Sequence, residues 1–152
     1  MQGRGVSHER AECPVARAVD VIGDRWTLLI VRDVLDGIRR FSELQKNLGL
    51  ARNILSARLR ELVAQGILEI VPAADGSAYH EYTLTPKGRE LFSIIVALRQ
   101  WGETYLFEES EPRSTLLDNE NQLPVRLQIT DAAGRPISAA DAFVRKVAAG
   151  SV

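Results

Sequence analysis

Cysteine is almost absent from this chain: Cys13 is the only one in 152 residues. An internal disulfide framework and a multi-cysteine zinc site are therefore excluded. Histidine is nearly as scarce. His8 and His80 make no ligand spacing with each other or with Cys13, so neither a metal nor another cofactor is expected. Long apolar runs are missing too, and none approaches the ~18 residues needed to cross a bilayer. The first twelve residues are polar and lack the apolar stretch of a secretory signal. A cytoplasmic location with no membrane partner is the expectation. There is no glycine-rich phosphate loop and no carboxylate pair in a recognisable cleft. A cysteine-dependent enzyme needs a base within reach of its thiol. His8 lies in a loose arm and His80 near a hairpin, so neither suits Cys13, and no enzyme is expected.

What is present is a local concentration of positive charge on a near-neutral chain. From Gly37 to Arg60 there are six cations, Arg39, Arg40, Lys46, Arg52, Arg58 and Arg60, against the single anion Glu43. That block is net +5, and the rest carries −6, which together make the −1 of the whole chain. A basic block on such a protein is the electrostatic footprint of a DNA-facing surface. The plainer reading is a solvated helical face, and charge alone does not choose between them.

The residue pattern does more. Pro14 suits a first helical turn, Val15, Ala18, Val19 and Ile22 recur at helical spacing, and Gly23 stops the run. Asp24 can cap a second helix from Arg25 to Asp36, which Gly37 ends. A short third helix starts at Phe41, with Ser42 as its expected N-cap and Phe41, Leu44 and Leu48 inward. Gly49-Leu50-Ala51 is a tight connection to a fourth helix over Asn53–Gln65, with Leu55, Leu59 and Leu62 inward and Gly66 as its stop. The period then changes. Ile67–Val71 and Tyr79–Leu84 read as paired strands around a turn at Pro72–Ala78. Thr85-Pro86 opens a long helix to about Phe107. Its stripe of Leu91, Ile94, Leu98, Trp101 and Tyr105, widened by Phe92, Ile95, Val96 and Leu106, exceeds what one small domain needs and calls for a partner helix.

The fold class expected is thus α+β and mainly helical: a winged helix-turn-helix with a long C-terminal dimerisation helix and a small β-rich extension. Residues 1–12 are the polar arm, 13–107 the DNA-binding and dimerisation domain, and 108–152 an extension of unassigned role. In the extension Val125, Leu127 and Ile129 alternate with polar residues before a turn at Asp131–Gly134. Ser138–Val147 fits a short helix or a strand equally.

Three helices and a hairpin are also a serviceable structural domain. The outer face of the fourth helix discriminates: Arg52, Asn53, Ser56, Ala57 and Arg60 lie opposite the leucines, with Arg58 on the flank. Asparagine can bond adenine, and arginine guanine, through two atoms each. A solvated helix would mix lysine and glutamate for intrahelical pairs, yet no acid occurs in this one before Glu61. A protein-interaction module without DNA would show an apolar or acidic face here. Arg39 and Arg40 precede the third helix and are expected to clamp the DNA backbone. The hairpin tip has no lysine or arginine, leaving Ser77, His80 and backbone amides as its contacts.

The stretch from Cys13 to Phe107 closely resembles the HxlR-type winged helix-turn-helix regulators. The resemblance rests on Cys13-Pro14, on Gly23 to Thr27, and on Arg40-Phe41-Ser42-Glu43-Leu44. It extends through Leu55-Ser56, Arg58-Leu59, Leu62, Gly66 and Tyr82 to Thr85 with Gly88. It implies a sequence-specific regulator of transcription that binds double-stranded DNA as a homodimer. The first and last helices would form the dimer, through Val15, Leu91, Ile95, Leu98, Trp101 and Tyr105. The two fourth helices would enter successive major grooves of an inverted repeat. It also implies that a cysteine placed like Cys13 can sense oxidants or electrophiles; a helix start favours reactive thiolate. The plainer role for Cys13 is a small apolar residue at a helix start. A small-molecule effector bordered by Trp26, Phe92, Trp101 and Tyr105 is the other partner class, although such aromatics more often serve a core.

Overall fold

The computed structural model describes residues 5–148. The order of elements is α1 (Pro14–Ile22), α2 (Thr27–Leu35), α3 (Phe41–Leu48), α4 (Arg52–Ala64), β1 (Leu68–Pro72), β2 (His80–Leu84), α5 (Pro86–Arg89) and α6 (Phe92–Tyr105). These form two compact units that divide at Ile95/Val96, inside α6.

The first unit is a winged helix-turn-helix. Its core gathers Ile30, Val31 and Val34 from α2, Leu44 from α3, and Leu55, Leu59 and Leu62 from α4, closed by Ile67, Leu68 and Leu84 of the hairpin. Each helix contributes one apolar stripe at 3- and 4-residue spacing, which is why three short helices suffice. Between α3 and α4 the chain reverses at Gly49, whose φ of 65° lies in the left-handed region that only glycine enters freely. The Gln45 side-chain amide donates to the Leu50 carbonyl at 3.2 Å and holds this turn. Asp33 of α2 is 1% exposed. It accepts from Arg32 at 2.8 and 3.0 Å and from the Asn47 amide of α3 at 2.7 Å. A buried carboxylate is tolerated only when so partnered, and this one pins the two helices together.

β1 and β2 pair antiparallel with Leu68 opposite Leu84 and Pro72 opposite His80. The Tyr82 amide donates to the Arg39 carbonyl at 2.8 Å, so the segment before α3 lies along β2.

Four sequence expectations need correction. Ser42 is not the cap of α3: the helix begins at Phe41, with Arg40 in the cap position and no side-chain cap. Asp24 is not at the cap position of α2, which Trp26 occupies without a side-chain cap; Arg25 and Trp26 form a turn ahead of the helix, and Asp24 Oδ1 holds that turn by accepting from the Trp26 and Thr27 amides at 2.8 and 2.9 Å. The expected single helix after Thr85 is interrupted at Glu90 and Leu91. The Leu91 amide donates to the Gly88 carbonyl, three residues back, and α6 starts afresh.

The fourth correction concerns the extension. In the second unit its described part has two isolated antiparallel bridges, Leu117 with Pro124 and Thr130 with Pro136, instead of strands. Proline has no amide hydrogen to give a ladder, so pairing stops where it starts. Ser138–Val147 is neither helix nor strand: a 3₁₀ turn at Ala139–Asp141 leads into extended chain. The Arg99 guanidinium donates to Ser114, and the Gln100 side chain meets the backbone of Leu127, tying the extension to α6.

Candidate nucleic-acid interface

The site is built on α4. Its inner leucines are almost wholly buried, which fixes the rotation of the helix and turns the opposite side outward. Arg52, Asn53, Ala57 and Arg60 are all exposed, and Ser56 is half-buried beside them. Arg52 stands in the first turn with its guanidinium 5.4 Å above the Phe41 ring, so α3 holds it ready. Among the described residues, the side chains of Asn53 and Arg60 have no hydrogen-bond or ion-pair partner, and the same holds for Arg39 and Lys46. An α-helix that presents an amide and a guanidinium in its first turn and a second guanidinium two turns on has the donors and acceptors that base edges require.

Two of the predicted site arginines are engaged inside the protein. The Arg58 guanidinium lies 3.8 Å from Asp24, joining α4 to the turn before α2. Burial pushes the Asp24 carboxyl up, but the Thr27 hydroxyl, the Trp26 and Thr27 amides and Arg58 hold it below the usual range. Arg40 reaches the hairpin. Its Nη2 is 2.5 Å from Asp75 at the tip, its Nε is 3.7 Å from Glu81 of β2, and its guanidinium sits 5.1 Å over the Tyr79 ring. Reading the sequence gave Arg40 to the DNA backbone because its three partners lie 35 or more residues away. The Asp75-Gly76 pair, read only as a turn, was the visible signal.

Ser77 lies half-buried within that turn, where its amide donates to Asp75 at 2.9 Å. Ser77, through its amide, and then Arg40 hold the Asp75 carboxyl down to about 2. His80 is exposed at the start of β2. The clasp should therefore be complete above pH 4 and fail as the pH falls toward 2, where Asp75 takes its proton. The Arg40→Ala variant should lose amide protection across residues 73–79 at neutral pH, and more there than in the helices of the core. Hydrogen exchange read residue by residue checks this, and unchanged protection would show the clasp to be idle.

Reading the sequence counted Lys46 in the basic block without giving it a contact, and missed Ile54; Lys46 is exposed on α3 and Ile54 on α4 beside Asn53. With Asn53, Ala57 and Arg58, Ile54 lines an open cleft of about 640 Å³ that runs from α4 to Asp20 and Val21 of α1. Of the predicted dimer residues, Val15, Leu98, Trp101 and Tyr105 are exposed by half or more, whereas Leu91 and Ile95 pack against the core of the first unit. Cys13 is exposed at the cap position of α1. Among the described residues no cluster of acids, cysteine or histidine gathers to hold a metal, and no helix is long and apolar enough to cross a membrane.

Comparison with known proteins agrees with this architecture. The chain is 48% identical over 101 residues to the HTH-type transcriptional regulator Rv3095 of Mycobacterium tuberculosis, a match covering 66% of this chain and 64% of that one. It thus spans less than two thirds of that relative's length. It is 35% identical over 96 residues to YvaP of Bacillus subtilis, also an HTH-type transcriptional regulator, covering 62% of this chain and 89% of YvaP. Among solved structures it superposes on PA1607, described as a candidate transcription factor, with TM-score 0.86 at 52% identity over 93% of this chain and all of PA1607. The redox regulator HypR in its reduced form gives 0.55 at 33% identity, covering 60% of this chain and 92% of HypR. The sequence pattern of the HxlR-like helix-turn-helix family matches residues 21–110, more than half of the chain, and with the winged helix-turn-helix just described this places the chain in that family.

Proposed function

We propose that the protein is a transcriptional regulator that binds a DNA inverted repeat as a homodimer and reads each half-site with α4. The observation that carries this is the outer side of α4, where Arg52, Asn53 and Arg60 are exposed while the leucines anchor the helix from beneath. Arg52 and Asn53 address base edges, Ser56 and Arg60 follow along the groove, and Arg39 and Lys46 take the phosphates on either side. Arg40 and Arg58 contribute from inside, by fixing the hairpin and the pitch of α4. The exposed Val15 on α1 and Leu98, Trp101 and Tyr105 on α6 supply the faces that a second subunit would cover. Binding of the purified chain to a duplex library should be selective and should weaken steeply with salt, as release of counterions demands. Arg39→Ala should weaken binding evenly across sequences and reduce the salt slope by about 1. Fluorescence anisotropy at several salt concentrations measures both. No salt-sensitive association with any duplex would end the reading.

A second layer is favoured by one observation. Cys13 is exposed at the cap of α1, and HypR, among the similar structures, is a redox regulator. If the thiol is the switch, a disulfide-forming oxidant should weaken operator binding by the native chain and leave Cys13→Ser unaffected. An equal response in both would remove Cys13 from the mechanism.

A further inference from the structure

The second unit has well-made turns and almost no interior. Asp118 accepts from the amides of Glu120, Asn121 and Leu123, at 3.0, 2.6 and 2.8 Å, and closes one loop. Asp131 accepts from Ala133 and Arg135 and closes a second. A Ser138–Asp141 capping box forms a third. Yet among the described residues of this unit Val96 alone is buried. Exposed instead are Trp101, Tyr105 and Leu106 on and after α6, and Phe143 and Val144 in the extended chain, the last two each 82% exposed. Leu98, Leu123 and Ile129 of the same unit are exposed by half or more as well.

The two exposed stretches are complementary. At the end of α6 the order is Tyr105, Leu106 and Phe107, then Glu108 and Glu109; residues 108–120 carry five acids against Arg113. In the last described segment the order is Phe143 and Val144, then Arg145 and Lys146, with no acid after Asp141. Each is an apolar step followed by a charged pair, and the signs are opposite. Both belong to the same compact unit, and both are uncovered in the folded chain, so one chain does not use one stretch to cover the other.

We infer that the segment 142–146 of one chain docks across the end of α6 of a second copy, Phe143 and Val144 against Tyr105 and Leu106, and Arg145 and Lys146 against Glu108 and Glu109. The exchange is reciprocal, as an isologous two-fold contact requires. It rests on the homodimer reading above and adds to it a function for the extension, which is to clasp the partner subunit.

Two full-length charge variants test it: Arg145→Glu with Lys146→Glu, and Glu108→Lys with Glu109→Lys. In both, like charges meet twice across the two-fold axis, so each should self-associate about tenfold more weakly than the native chain. Mixed in equal amounts, they should form a heterodimer of native affinity, because every pair is then opposite in sign. Sedimentation and native mass spectrometry read the masses, and circular dichroism verifies that both variants are folded. Undiminished self-association of both variants, or weakened variants that do not rescue each other, overturns the clasp while leaving a dimer through α1 and α6 intact. A native chain that stays monomeric would overturn the homodimer reading together with the clasp.

Discussion

Replacing Gly88 with alanine should destabilise the first unit by about 3–5 kcal/mol, an effect at the upper end for one methyl group. A Cβ built at Gly88 falls 2.2 Å from the Ile67 carbonyl oxygen and 3.0 Å from Leu84 Cδ2. No rotamer relieves this, because the first obstacle is backbone. The same few atoms hold the hairpin to α5. Thr85 Oγ1 donates to the Gly66 carbonyl at 2.5 Å and accepts the Gly88 amide at 3.0 Å, and the Thr85 amide donates to Ile67 at 3.0 Å. Moving α5 and its Thr85 cap away to admit the methyl would stretch the two bonds from Thr85 to Gly66 and Ile67, each worth about 1 kcal/mol net, on top of the overpacking cost of about 1–3 kcal/mol. Gly102→Ala is the matched control. Nothing lies within 4 Å of its added Cβ, and it sits inside α6. Alanine there should stabilise the helix by about 0.5–1 kcal/mol. Urea unfolding of both variants decides the matter, and equal effects would mean that the Gly88 contact is not a constraint on the fold.

The same contact explains where reading along the sequence succeeded and where it stopped. Signals confined to a few residues came through. Pro14 opened α1, Gly49 and Gly66 closed α3 and α4, and Asp24 marked the turn into α2. The apolar stripes of α2, α3 and α4 named most of the core. What failed depended on groups distant in the chain. The apolar stripe continues unbroken from Leu91 to Tyr105, so nothing local marks a helix boundary. The boundary arises because Gly88 seats on a carbonyl 21 residues upstream. Arg40 and Arg58 looked like DNA contacts because their carboxylate partners, Asp75 and Asp24, lie 35 and 34 residues away. The Asp33–Asn47 pin was invisible for the same reason. In the extension, Val125, Leu127 and Ile129 do alternate, but Pro124 and Pro136 occupy the bridge positions and stop a ladder from forming.

The largest expected effect on function comes from removing both side chains at the start of the reading face. Arg52→Ala with Asn53→Ala should lower operator affinity by about 2–6 kcal/mol, from roughly 1–3 kcal/mol for each base-reading group lost. That is about 30-fold at the least and about 20,000-fold at the most. The two positions adjoin, so the double loss need not equal the sum of the single ones. Binding to unrelated duplex should fall much less, because Arg39 and Lys46 still face phosphates in the proposed complex. The discriminating quantity is therefore the ratio of operator to non-operator affinity at fixed salt, which should collapse toward one. Arg52→Lys adds a sharper requirement. It retains the charge but forfeits both the two-atom contact to guanine and the flat stacking on Phe41 that holds the guanidinium in place. It should behave like Arg52→Ala in the specificity ratio and like the native chain in the salt slope. A double variant that keeps both its affinity and its site preference would show that α4 does not read the bases, and the regulator reading would have to be rebuilt on another surface.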